Sequence, residues 1–388
     1  MNLVLRHMKK GSIAALAGLA LLFFAACDAD SAPGAPEFAY VSSGGANTIT
    51  VIDLYEGQAI KTISVGSNPS GVTANPARNE IYVANSDSSN VSVIDITKNA
   101  VVATIGVHRG PFHVSVSQDG DRAYVANSGS NNVSVIDLQS RKAIATIPVG
   151  VAPGLARVSN DGKVVVVSNR ESNSVSIIDA QKTAAVKTID ACNHPEDIAI
   201  LPDASKAFVA CSGSGQVAVI DLQNQKLLTL LYVGKTPVHL AMKPDGGEIF
   251  VENFDGHTIS AINTSANEVS ESFLAGDNPA SAIVTSDNSL LYVSSFGTDS
   301  VGVFDVSTRK MIGKVSVGSH PDSIALSPSE DLLLVANARS GDLAIVRTDK
   351  RATKKIKSPP YRLFNLVPVG MRPNSIAVAA QGSTPGAK

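Results

Sequence analysis

One pattern constrains this chain more than any other, a 42-residue unit that recurs from Tyr40 to Leu334. Tyr40, Tyr82, Tyr124, Val166, Phe208, Phe250, Tyr292 and Leu334 share one slot. Asp53, Asp95, Asp137, Asp179, Asp221, Asn263, Asp305 and Arg347 share a second. Pro69, Pro111, Pro153, Pro195, Pro237, Pro279 and Pro321 share a third, and Pro373 follows after 52 residues. A fixed period of this length means one supersecondary unit stacked on copies of itself, because a single copy cannot bury its apolar faces.

Within the unit that starts at Pro69, Ser70 to Ala74 reads as a strand and Asn75-Pro76-Ala77-Arg78-Asn79 as a turn. Ile81 to Asn85, Val91 to Ile96 and Val101 to Ile105 complete four short β-branched strands, which form one antiparallel sheet. Packing such sheets round an axis buries both faces of each and leaves only short edges, which defines a β-propeller. The Tyr40 slot occurs eight times, and so does the proline with its following strand, but the two series are offset. The sheet that opens at Phe38 lacks a first strand, while Pro373 to Val378 has no sheet after it. The expected fold is therefore all-β: an eight-bladed propeller of four-stranded antiparallel blades over residues 37–380. In it the C-terminal strand completes the N-terminal blade and brings Ser375 beside Val41. The chain has no Trp, which argues against a WD-type propeller.

Tyr82-Val83-Ala84-Asn85, Tyr124-Val125-Ala126-Asn127, the Val-Ile-Asp triplets and Val-Gly-x-x-Pro resemble the YVTN family of β-propeller repeat proteins over nearly all the mature chain. The resemblance implies the fold and says little about activity, since that family includes surface-layer and envelope proteins of unassigned role. The eight-bladed haem domain of bacterial nitrite reductases is similar more distantly.

Residues 1–26 read as an export signal: Arg6, Lys9 and Lys10 form a basic start, and an apolar run from Ile13 to Ala26 follows. Leu22-Phe23-Phe24-Ala25-Ala26-Cys27 resembles a bacterial lipobox, which implies lipidation of Cys27, though Phe24 departs from the usual Leu. The alternative is ordinary cleavage nearby, with Cys27 a spare thiol. Each buried acyl CH₂ contributes about 0.8 kcal/mol, so several chains on one Cys hold a protein at a bilayer. Residues 27–36 are a tether and 381–388 a flexible tail. The expected location is the bacterial cell envelope, exported and lipid-anchored. Asp28 is a retention feature in some lipoproteins, but its meaning depends on the source organism. Removing Arg6, Lys9 and Lys10 from the 32 basic residues leaves 29 against 34 acids, a net charge of −5. Phosphate backbones need a positive surface, so nucleic acid is excluded as a partner.

A site within a repeat shows as variation against a constant background. The fourth-to-first and second-to-third loops of the blades share one face, here called the top. The residues before each repeat proline are Asn68, Gly110, Ala152, His194, Thr236, Asn278, His320 and Arg372. Two after it come Gly71, His113, Leu155, Asp197, His239, Ser281, Ser323 and Ser375. Arg109, His113, His194, Asp197, His239, His320 and Arg372 are therefore the binding candidates at the channel mouth. His113 and His239 are three blades apart, as are His194 and His320. That separation argues against a tight metal site, which needs three or four converging ligands, and favours a wide mouth or a merely wet channel. No metal and no cofactor are expected.

The repeated Asp closes the third strand before a turn, where it is expected to bond turn N–H groups. Asn85, Asn127, Asn169, Asn253 and Asn337 are expected to stabilise the polar top turn. No nucleophile elbow, phosphate loop or zinc-type Cys spacing is present. Cys192 replaces the Gly of Val-Gly-x-x-Pro and Cys211 the Asn of Tyr-Val-Ala-Asn, both at the top of one blade, so an oxidising envelope points to a disulfide between them. The last repeat is longer, and its extra residues, 348–357, carry a basic cluster on the bottom face that is expected to touch anionic headgroups or simply to be solvated. The function expected first is a monomeric, non-catalytic, membrane-anchored propeller that binds a protein or small ligand at its top face. The alternative is a propeller enzyme or redox carrier with a metal or haem at the channel mouth. A lactone-hydrolysing propeller is a third, weaker reading, since Asp197 alone does not supply the acidic ligands it needs.

Overall fold

The computed structural model describes residues 36–348 and 361–380. They form eight four-stranded antiparallel sheets arranged as a propeller. Blade 1 takes its first strand, Pro373–Ala380, from the C-terminal end and its others, Glu37–Ser43, Thr48–Asp53 and Gln58–Ser64, from the N-terminal end. Blades 2 to 8 are continuous in sequence and begin at Pro69, Pro111, Pro153, Pro195, Pro237, Pro279 and Pro321. The ring closes as expected: Val41 pairs with Ile376 and Ser42 with Ser375. Ser42 Oγ also donates to Asn374 Oδ1 at 2.5 Å across this seam. The signal, Cys27, the tether, the basic cluster after Thr348 and the tail lie outside the described residues.

The repeat slots explain why the ring holds. The Tyr40 slot is at most 1% exposed in all eight blades, and its aromatic and aliphatic side chains pack between neighbouring sheets. Burying one such side chain contributes about 1.5–3 kcal/mol. Each outer strand carries a bulge at the same register, for example between Val51 and Ile52 and between Val93 and Ile94. Bulges twist an exposed edge away from further pairing. The repeated aspartate works as a turn anchor: Asp95 Oδ1 accepts from the N–H groups of Thr97 and Lys98 at 2.9 and 3.1 Å, and Asp53 and Asp179 do the same. Asn85 Nδ2 donates to Asn90 Oδ1 and Ser92 Oγ at 2.7 and 2.9 Å, bracing the start of the third strand, and Asn127 repeats the pattern.

Candidate functional site

The loop that delivers each inner strand to the channel has one fixed conformation. The residue before the repeat proline has a positive φ in every blade: Asn68, Gly110, Ala152, His194, Thr236, Asn278, His320 and Arg372 all lie between 50° and 67°. For residues other than Gly this costs about 1 kcal/mol or more each. In five of the eight blades a side chain from the preceding top turn offsets the cost by capturing the strained N–H. His194 N donates to Asn173 Oδ1 and His320 N to Asp299 Oδ1, both at 2.9 Å. Sequence variation in this slot is therefore free to change the side chain while the backbone stays put.

The seven candidates do not line one pocket. His320 and Arg372 meet in a top cleft of about 260 Å³ lined also by Asn68, Asp322, Arg339 and Asn374. It sits over the seam where the chain's two ends pair. The His320 ring stacks on Phe296 with centroids 4.3 Å apart and planes 17° off parallel, and Phe296 meets Phe254 edge-on at 5.7 Å. Asp322 is the one carboxyl of this lining, set against two guanidinium groups. The cleft thus sets the His320 ring, backed from behind by Phe296, beside a net positive wall.

His113, Asp197 and His239 instead lie on the channel wall, in an alternating chain of charges. Asp197 Oδ1 is 3.2 Å from Arg157 Nη2, and its Oδ2 is 3.8 Å from His239 Nε2. The N–H groups of Ile198 and Leu240 donate to the same carboxylate at 2.8 and 3.0 Å. His239 Nδ1 in turn lies 3.0 Å from Glu252 Oε2, and the Glu252 side chain is fully buried. Burial alone would raise Asp197, but Arg157, His239 and the two N–H groups outweigh it and lower the pKa. Burial would depress His239, but Glu252 and Asp197 reverse that and raise it. Burial dominates at Glu252 and raises it. At His113, burial and then Arg157 push the ring down to about 4, so it stays neutral. Its Nδ1, Arg157 Nε and Glu252 Oε1 are buried side-chain atoms without a hydrogen-bond partner.

The remaining candidates stay on the rim. His194 Nδ1 is 2.8 Å from Glu196 Oε1, and Glu196 Oε2 is 2.8 Å from Arg170 Nε. The Arg170 guanidinium lies over the Phe112 ring, 4.7 Å from its centroid. Arg109 is exposed, its N–H donating to Ser130 Oγ at 3.1 Å. Cys192 and Cys211 are disulfide-bonded at the top of blade 5. Among the described residues, no group of three or more His, Cys, Asp or Glu is placed to hold a metal ion.

Four partners were outside the sequence reading, and each carried a signal of the same kind. Four after the proline, the slot reads Thr73, Ser115, Arg157, Ala199, Ala241, Ile283, Ala325 and Ala377. Two after the Tyr40 slot come Ser42, Ala84, Ala126, Ser168, Ala210, Glu252, Ser294 and Ala336. Arg157 and Glu252 are the one charge in each set. Arg170 and Phe296, with Phe254, stand out likewise in a top-turn slot that otherwise holds Gly44, Ser86, Ser128, Ser212 and Ala338.

Comparison with known proteins agrees with this architecture. Residues 76–199 match the family described as Cytochrome D1 heme domain. Residues 258–358 match Lactonase, 7-bladed beta-propeller, whereas this ring has eight blades. No curated protein matches the chain in sequence. Among solved structures, the dihydro-heme d1 dehydrogenase NirN in complex with DHE has a TM-score of 0.73 at 15% identity, covering 90% of this chain and 76% of that one. Hydrazine synthase of Kuenenia stuttgartiensis has 0.60 at 23% identity, covering 72% and 95%. The Cps50 (Swd1) β-propeller domain of Myceliophteria thermophila has 0.59 at 13% identity, covering 74% and 98%. Likeness at these identities establishes the fold alone: the protein is an eight-bladed β-propeller.

Proposed function

We propose that this propeller is a lipid-anchored cell-envelope protein that binds a flat, anionic small molecule at its top cleft without transforming it. The observation that carries the reading is the His320 ring, held flat by its stack on Phe296, in a cleft that Arg339 and Arg372 also line. A planar ring system gains from an aromatic platform, and a carboxylate gains from guanidinium groups that bond it through two parallel N–H donors. Export and anchoring rest on the leader and on Cys27, and the repeat motifs support placing the chain with the YVTN-type propellers. The test is a thermal-shift screen of flat aromatic carboxylates beside aliphatic diacids of equal charge. The proposal expects stabilisation by the flat set in the wild type and its loss in Phe296→Ala and in Arg372→Ala. Equal shifts from flat and aliphatic acids would reject it.

A second reading, a haem-bearing redox protein or enzyme, is favoured by one separate observation. One donor on the channel wall suits such a group: His113 is neutral, its Nδ1 is buried and unpartnered, and Arg157 stands close enough to depress it. His113 would then hold the iron and Arg157 a carboxylate arm, the iron supplying one-electron chemistry. The match of residues 76–199 to the haem-domain family spans both residues. Colour and metal content of protein made in its native host separate the readings, and a colourless, metal-free preparation favours the first.

A further inference from the structure

The face opposite the cleft carries a feature that the binding reading does not use. Tyr55, Ile60, Leu363, Phe364 and Leu366 are 85%, 49%, 39%, 37% and 42% exposed. All lie on the outer strands and bottom turn of blades 1 and 8. They form one rim: a Cβ on Gly57 would meet the Phe364 ring at 2.6 Å, and Asn365 Nδ2 donates to the Gly57 carbonyl at 2.8 Å. Tyr55 occupies a slot that elsewhere reads Thr97, Gln139, Gln181, Gln223, Ser265 and Ser307. Phe364 is the one aromatic among the residues at the eight bulges, where the others are aliphatic or Ser270.

The chain itself says what covers this rim. Leu54 N donates to the Glu37 carbonyl at 3.1 Å, so the N-terminal segment joins the ring one residue away from Tyr55. Cys27 lies ten residues before Glu37. Ten extended residues span at most about 35 Å. An acyl chain on Cys27 would therefore keep this rim within about 35 Å of the bilayer surface.

We infer that the rim docks into the interfacial layer of the membrane, with Tyr55 and Phe364 inserted and the top cleft facing away. This rests on the lipid-anchored reading of Cys27. Aromatic rings with one polar end or one charged neighbour settle at the headgroup level, and the Arg347 guanidinium lies 4.1 Å above the Phe364 ring. Glu37 and Glu56 share the rim with Arg347 and Arg362, so apolar area and not net charge drives the docking.

The absence of Trp from the chain makes the test direct. Tyr55→Trp and Phe364→Trp each introduce a single reporter, and Tyr232→Trp, at a top-rim position 79% exposed, serves as the control. Full-length acylated protein is reconstituted with phosphatidylcholine vesicles carrying brominated acyl chains. The expected result is a blue shift and loss of most emission at positions 55 and 364, with position 232 unchanged. Flotation with the vesicles but no quenching at 55 or 364 overturns the docking and leaves the anchoring intact. Failure to float removes the anchoring and the docking together. A blue shift that grows with protein concentration in the absence of vesicles shows a second copy on this rim and also overturns the inference.

Discussion

Cys192 and Cys211, bonded with their Cα atoms 5.8 Å apart, stand where six of the other seven blades set a glycine against an asparagine or a serine. A Cβ added to Gly66, Gly150 or Gly234 would meet the side chain of Asn85, Asn169 or Asn253 at 2.6–2.7 Å, and one added to Gly276 would meet Ser295 Oγ at 2.6 Å. In this blade the two exchanges are matched, a Cys facing a Cys, whereas blade 3 sets His108 against a retained Asn127. Closing a loop of 19 residues contributes about 3 kcal/mol. Reduction should therefore lower the unfolding midpoint in urea. The double variant Cys192→Gly, Cys211→Asn should recover part of that loss, because it restores the pair that other blades use, while Cys211→Asn alone should not. Equal stability of oxidised and reduced wild type would contradict this.

The channel wall sets a pH dependence with two limbs. His113 sits at about 4 when folded against about 6.5 when unfolded, so acid protonates the unfolded chain first. Stability falls as the pH drops from 6.5 towards 4, by at most about 3 kcal/mol from this ring. Asp197 is lowered, so its contribution is present above the unfolded value and is lost only at still lower pH. His239 is raised, so its contribution is complete below about pH 6.5 and is lost as the pH rises through its folded value. Glu252 is raised in the same sense and makes the acid limb shallower than His113 alone would give. The readout is urea unfolding across pH: His113→Asn should flatten the acid limb and His239→Gln the alkaline one. Limbs unchanged in both variants would reject the assignment.

Asp197 depends on Arg157. Its side chain is 9% exposed, and Arg157 supplies the guanidinium 3.2 Å away. Removing one partner of a buried pair leaves an uncompensated charge and costs about 3–5 kcal/mol. The Arg157 side chain is 43% exposed, and His239 and two N–H groups still face Asp197, which puts Arg157→Met below that range, at about 1–2 kcal/mol. Adding Asp197→Asn should restore part of the loss, a non-additivity that a double-mutant cycle on unfolding free energies measures directly.

The ring was legible in the sequence because every blade repeats the same three constraints: a buried slot at Tyr40, a turn anchor at Asp53 and a proline that opens the inner strand. The offset between the Tyr40 and Pro69 series even disclosed the closing strand. The site was legible only in part. His320 and Arg372 were visible as breaks in one slot, yet nothing in that slot shows that they share a cleft while His194 turns to Glu196 and His239 to Glu252. Those choices turn on single partners within the same blade, Glu196 two residues on and Glu252 on the adjacent strand, which break their own slots and not the one that holds the histidine. Arg157 and Glu252 went unread because their slots looked like core, where one charge hides among small residues.

The account stands most directly on the cleft that His320, backed by Phe296, lines together with Arg372. A calorimetric titration of naphthalene dicarboxylate, a flat dianion, into wild type, Phe296→Ala and Arg372→Ala measures it. One charge-assisted hydrogen bond contributes about 1.5–3 kcal/mol, so losing Arg372 should weaken binding about tenfold or more, and losing the platform should weaken it as well. Saturable binding at one site in the wild type, reduced in both variants, is the predicted result. Binding that is absent, or that is equal in all three proteins, would contradict the account.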